Sequence, residues 1–238
     1  MQSLELDNKV DCPGFMLASD SVYFQNWAQT LFLSITHHAP WAHVHFHLFD
    51  PRPEDLDWCR ANSASVSWET TDPEYTGSHQ DSVLYWAAAR YMRVIDIYED
   101  STPVINLDVD SIMVKSLTQE QFMQDLSHSW VPTTPPGKRK TLSLCSAIGF
   151  AADNTRYTLR DRLMGVYEND RLTWAMDQDI CDQLLEQRQI QAMDMRYTDF
   201  KFTNDSYIWT GKGERVYKNT FTNAQQPYLD QLGRKLSS

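Results

Sequence analysis

Cysteine is sparse: four residues, at positions 12, 59, 145 and 181, with no C-x-x-C pair among them. This spacing argues for free thiols in a reducing compartment rather than a disulfide framework. Positive charge is also short, with 21 Lys and Arg against 32 Asp and Glu and a formal net charge of −11. A chain so acidic is not built to bind nucleic acid, which demands clustered Lys and Arg. A small phosphate-bearing ligand is compatible with it if a divalent cation or a local basic cluster offsets the field. No stretch approaches the ~20 apolar residues of a membrane span. Met1 to Cys12 carries acids early and has no apolar core, so it does not read as a secretory signal, and a cytoplasmic location is expected. What is abundant is core material: 42% hydrophobic and 12% aromatic residues, including eight Trp, over 238 residues. That suits one α/β domain spanning 1–238, with no linker separating two cores.

The first half alternates strand and helix. Gly14 to Ala18 is a short apolar run that predicts a buried strand, and it ends at Ser19-Asp20-Ser21, residue types that cap helices. Phe24, Trp27, Leu31 and Ile35 then share a helical face, and His43 to Phe49 reads as the next strand. A helix near 54–62, a strand near 64–68 and one long helix over 81–98 follow. The last carries Leu84, Ala87, Ala88, Tyr91, Ile95 and Tyr98 on one face and feeds strand 103–107. Four such alternations predict a largely parallel sheet with helices on both faces. In the second half, 132–140 is a proline-rich basic loop. A strand near 142–150, helices near 154–167 and 173–187 and a short strand near 191–196 follow it.

Asp108 and Asp110 stand directly after an apolar strand. In extended chain, residues i and i+2 point the same way, so both carboxylates would face one point. Two carboxylates repel unless a cation lies between them, and oxygen-only ligation favours Mg²⁺ or Mn²⁺. An acidic turn at a strand end is the plain alternative, but α/β sheets bind ligands at the carboxyl ends of their strands. Asp177 and Gln178 fall within a helical stripe of Trp174, Cys181 and Leu185 and are expected to line a cleft; an acid complementing the helix dipole is the other reading. Arg90 lies beside the apolar face of the long helix and is either a phosphate or acid partner or a solvated arginine. Thr210-Gly211-Lys212-Gly213 is a glycine-flanked loop with a central charge, and it is not a P-loop. His43, His45 and His47 alternate on one strand face, ~7 Å apart, too far to converge on one metal ion; a half-buried strand face is the reading.

In this order the blocks resemble a GT-A glycosyltransferase, closest to glycosyltransferase family 8 (glycogenin and the bacterial lipopolysaccharide galactosyltransferases). Four segments carry the resemblance: Leu17 to Tyr23; Ala88-Ala89-Arg90-Tyr91 followed by Val104 to Asp110, a D-x-D; Trp174 to Asp179; and Ile208 to Gly213. The resemblance implies a GT-A, Rossmann-like α/β fold, a mixed and mostly parallel sheet flanked by helices. It implies a UDP-sugar donor, Mn²⁺ or Mg²⁺ held by Asp108 and Asp110, and transfer with retention to a glycan, lipid or protein acceptor. Ala18, Ser19, Asp20 and Tyr23 would meet the nucleoside, and Arg90, Asp108, Val109 and Lys212 would complete the donor site. Asp177 and Gln178 would act at the donor sugar, with Gln178 near the anomeric carbon. The chain departs from the family where a closing-loop histidine usually ligates the metal; Thr210 stands there. Val22 replaces a common polar nucleoside contact.

Other readings fit fewer residues. A D-x-D phosphatase would open on its motif, whereas more than a hundred residues precede Asp108, and sugar nucleotidyltransferases need a glycine-rich loop where 18–23 has no glycine. A nucleotide-sugar-binding protein without turnover is the non-enzymatic alternative.

Overall fold

The computed structural model describes residues 4–6, 8–71, 79–134, 143–169, 173 and 175–234, and for 79–81 the backbone alone. The β-strands are β1 (Gly14–Asp20), β2 (His43–Phe49), β3 (Ser65–Glu69), β4 (Val104–Leu107), β5 (Ser111–Met113), β6 (Trp130–Pro132), β7 (Ala147–Phe150), β8 (Gln191–Met193) and β9 (Ile208–Thr210). The α-helices are α1 (Ser21–Tyr23), α2 (Gln29–His38), α3 (Pro53–Ala61), α4 (His79–Met92), α5 (Val94–Ile97), α6 (Gln119–Asp125), α7 (Thr155–Tyr167), α8 (Met176–Glu186) and α9 (Asn219–Gln231). A π-helical turn, Phe24–Ala28, joins α1 to α2.

Seven strands form one sheet in the order β3-β2-β1-β4-β7-β6-β8, and β5 pairs with β9 apart from it. The β3-β2-β1-β4 block is parallel, as the strand-helix alternation predicts. β7 then runs antiparallel to β4 and β6. The mixed, mostly parallel sheet flanked by helices expected from the sequence is present.

Alternation along the strands sorts two cores. Phe15 and Leu17 of β1 join Phe46 and Leu48 of β2 on one face, under α2, α3 and α9. Met16 and Phe49 join Tyr91 of α4, Leu159 of α7 and Cys181 of α8 on the other. Burying both faces is why β1 and β4 read as unbroken apolar runs. Gly14 permits the closest approach: a Cβ there would lie 1.8 Å from the carbonyl oxygen of His43 on the neighbouring strand.

Several elements differ from expectation. The helix predicted over 81–98 divides at Arg93, whose guanidinium turns inward to Glu69. The strand predicted over 142–150 narrows to Ala147–Phe150. Pro132 is not loop but the end of β6, and Thr133 bridges Ser143; residues 135–140 of that predicted loop lie outside the described residues. The sequence reading missed α6, although Thr118 caps it by accepting the Gln121 amide at 3.2 Å. It also missed α9, whose polar stretch encloses Pro227 and breaks the helical signal.

Candidate active site

The parallel strands deliver their carboxyl ends to one edge of the sheet, where such folds bind ligands. β1 ends there with Ala18, Ser19 and Asp20. Asp20 is extended (φ −74°, ψ 173°), and its carboxylate caps α1 by accepting the Tyr23 amide at 2.7 Å. β4 ends with Leu107, and Asp108 follows; its amide donates to the Ser146 carbonyl at 2.8 Å, which ties the D-x-D to β7. α4 crosses above and presents Val83, Trp86, Ala87 and Arg90, positions at helical i, i+3, i+4 and i+7 spacing.

These segments enclose a cleft of about 640 Å³. Of the residues predicted for the site, Ala18, Ser19, Asp20, Tyr23, Arg90, Asp108, Val109, Asp110 and Lys212 all line it. Asp177 and Gln178 sit beside it at a smaller pocket that shares Arg90 and Lys212. Phe49 and Trp86 also line the cleft, their rings stacked at 5.9 Å and 19°. Sequence reasoning missed both; Phe49 lies at a strand end and Trp86 one helical turn before Arg90, so each carried a positional signal.

The geometry reaches this result by a different route from the one expected. Asp108 to Asp110 is not extended strand, since Val109 and Asp110 form a bend, and it is the bend that turns both carboxylates to the cleft. The buried stripe of α8 is Met176, Ile180, Cys181 and Leu184; Leu185 is only partly buried, and Trp174 lies outside the described residues.

Arg90 is the hub. Its Nη1 pairs with Asp108 Oδ1, its Nη2 donates to the Cys145 carbonyl at 3.0 Å and stands 3.8 Å from Asp177 Oδ2, and its Nε donates to the Ala87 carbonyl at 3.2 Å. With a side chain only 12% exposed, it is no solvated arginine. Lys212 reaches Asp108 Oδ2 at 3.3 Å. Both oxygens of Asp108 therefore meet cations. Asp110 has no ion pair among the described residues, and burial raises its carboxyl above the ordinary value, with Lys212 and Arg90 opposing from a distance. Burial likewise raises Asp177, against Arg90, and lowers Lys212. Three carboxylates face two cations, and Asp110 is the one without an ion pair among the described residues.

Oxygen donors of this kind fit a hard divalent ion. Among the described residues no group of three or more His, Cys, Asp or Glu converges, so the D-x-D supplies a pair of carboxylates and not a closed ligand set. Thr210 cannot extend that pair. Its hydroxyl is fully buried, 3.0 Å from Ser111 Oγ and 3.1 Å from Thr198 Oγ1, in a hydroxyl cluster that continues to Ser146.

Solved structures share the architecture. The apo-form glycosyltransferase GlyE of Streptococcus pneumoniae aligns at TM-score 0.63 and 13% identity, over 94% of this chain and 63% of that one. The galactosyltransferase LgtC, solved with donor and acceptor sugar analogues, aligns at TM-score 0.61 and 13% identity, over 94% of this chain and 97% of that one. The fold is that of the GT-A glycosyltransferases. No family model matches the chain, and no curated protein matches it in sequence. This GT-A chain spans less than two thirds of the apo GlyE chain. Among its described residues no helix is long and apolar enough to cross a membrane.

Proposed function

We propose that the chain is a metal-dependent glycosyltransferase that moves a sugar from a UDP-sugar to a glycan, lipid or protein acceptor with retention, acting as one GT-A unit over 1–238. The observation that carries this reading is convergence: blocks at 18–23, 90, 108–110 and 212–213, distant in sequence, line one cleft at the carboxyl edge of a GT-A sheet.

In this reading Asp108 and Asp110 hold Mn²⁺ or Mg²⁺ against the donor diphosphate. A divalent ion there supplies Lewis-acid stabilisation of the charge that develops on the departing UDP. Lys212 exchanges Asp108 for phosphate when the donor enters, its side chain being about half exposed at the cleft while Asp108 is nearly buried. Asp20 and Tyr23 meet the base. Phe49 and Trp86 wall the cleft on the same side and exclude water. Arg90, fixed by one carbonyl on each side, aligns Asp177 toward the donor sugar, and Gln178 lies nearest the anomeric carbon.

A thermal-shift panel of nucleotide-sugars with and without Mn²⁺, followed by slow UDP-sugar hydrolysis, tests the proposal. The expected result is stabilisation by UDP and Mn²⁺ together and hydrolysis abolished by Asp110→Asn. Thr210, buried where the resemblance expects a histidine, favours a second reading as a nucleotide-sugar-binding protein. Stabilisation by UDP-sugars with no turnover for any donor selects it, and no response to any nucleotide rejects both.

A further inference from the structure

The three alternating histidines of β2 are not the half-buried face expected from sequence. His45 and His47 are fully buried, and together with His43 they thread two serines of β3 into one hydrogen-bonded chain. His43 Nε2 lies 2.7 Å from Ser65 Oγ, which lies 2.7 Å from His45 Nδ1. His45 Nε2 lies 2.8 Å from Ser67 Oγ, which lies 2.9 Å from His47 Nδ1. His47 Nε2 then meets Glu69 Oε1 at 3.1 Å. The outer end, His43, is half-buried and lines a cavity of about 330 Å³ with Lys9, Asp11, Cys12 and Arg60. The inner end, Glu69, is fully buried and also accepts from Tyr85 Oη at 2.9 Å and Arg93 Nη2 at 2.5 Å.

One group sets the direction of every proton in this chain. Burial alone would raise the Glu69 carboxyl, but hydrogen bonds from His47 and Arg93 outweigh it and hold the group at about 2. An ionised carboxylate only accepts, so His47 Nε2 donates. Burial keeps His47 and His45 neutral, against the opposing pull of Glu69 and Asp96 on His47. His47 Nδ1 therefore accepts from Ser67, Ser67 accepts from His45 Nε2, His45 Nδ1 accepts from Ser65, and Ser65 accepts from His43 Nε2. A reversed chain would set the lone pair of His47 against the carboxylate.

Tyr85 lies on α4 and Arg93 directly follows it, so Glu69 grips that helix on both sides of Arg90. We propose that Glu69 is a positioning residue for Arg90, acting through α4, and that the His43-Ser65-His45-Ser67-His47 chain holds Glu69 in place with all its N–H and O–H bonds pointing toward it. Glu69 does not line the cleft; its nearest link there is Phe49, its partner across the β2-β3 ladder. The catalytic consequence rests on the donor-site reading of Arg90; the chain and its grip on α4 do not.

¹⁵N NMR of the full chain, observing histidine rings and arginine Nε–H groups from pH 5 to 8, tests both parts. All three histidines are expected as the Nε2–H tautomer, with His45 and His47 neutral throughout and His43 alone titrating. A neutral Nδ1–H tautomer at any of the three overturns the chain. In Glu69→Gln the Arg90 Nε–H signal, held by the Ala87 carbonyl, is expected to broaden, and the KM for the UDP-sugar to rise about tenfold with UDP affinity changed less than twofold. Tyr85→Phe, which keeps Arg93 on Glu69, is expected to give about a threefold rise and decides the matter if Glu69→Gln does not fold. Ser67→Ala is expected to release His45 and His43 from a single tautomer while His47, still bonded to Glu69, keeps its own. An unchanged Arg90 signal in Glu69→Gln, or in Tyr85→Phe where the first fails to fold, refutes the positioning role. If the wild type turns over no UDP-sugar, the functional reading fails, and the Arg90 and histidine signals still decide this one.

Discussion

Replacing Asp110 with asparagine is expected to stabilise the ligand-free protein and to remove its response to metal and nucleotide. Asp108 has Arg90 and Lys212 on its two oxygens, whereas Asp110 is a buried carboxylate without an ion pair among the described residues. Burial raises its carboxyl, so the folded chain binds that proton more tightly than the unfolded one. The ionised group therefore costs stability, and that cost grows as pH rises from 3.8, the ordinary value, through the raised folded one. Asparagine keeps the shape and removes the charge. Relief of a functional strain of this kind is typically worth about 1 kcal/mol, or roughly 2–4 °C in a chain of this length. The wild type with Mn²⁺ and UDP at about 100 times Kd should instead gain about 2.7 kcal/mol, roughly 5–11 °C. Differential scanning fluorimetry at pH 7, run on both proteins with and without ligands, reads all four values. The reasoning is refuted if Asp110→Asn melts lower than wild type without ligand, or if it keeps the wild-type shift with Mn²⁺ and UDP.

Two further outcomes follow from the same charges. Arg90→Lys cannot reach Asp108, the Cys145 carbonyl and Asp177 together, because an ammonium lacks the planar fork; UDP-sugar turnover should fall at least about 100-fold while the Mn²⁺-UDP thermal shift persists. Burial raises Asp110, so protons compete with the cation from a pH above the ordinary aspartate value. Titration calorimetry should show Mn²⁺-UDP affinity falling on acidification from such a pH, and an acid limb at the ordinary value would contradict the burial argument.

The parallel half of the fold was legible because its signals are local. β1 and β4 are continuous apolar runs, the helices between them carry period-3.6 faces, and β1 and β2 are each followed within a few residues by a helix. β6 was missed, and β7 and β8 were read too long, because they are three or four residues long and gain their bounds from partners elsewhere in the chain: Trp130 pairs with both Gly149 and Gln191. At the site, carboxylates after an apolar strand pointed to the D-x-D, whereas Asp20 and Tyr23 were reached through the family resemblance. Phe49 and Trp86 were not singled out: their positions, at a strand end and one turn before Arg90, were the only signal, and residue type alone does not tell a cleft wall from core. The histidines were readable as sharing a face, but their burial was not, because β3 supplies the serines that satisfy them.

What the sequence determined by itself is local: which residues alternate, where strands end, and that two carboxylates stand one residue apart after an apolar run. Tertiary structure decided which charges meet. Arg90 lies 18 residues from Asp108 and Lys212 lies 104 away, and both arrive at the same carboxylate only because α4 and the 212–213 loop close over one edge of the sheet. Among the described residues Asp110 is left without an ion pair there. Coulomb energy depends on distance in space and on burial, and neither quantity is written along a chain.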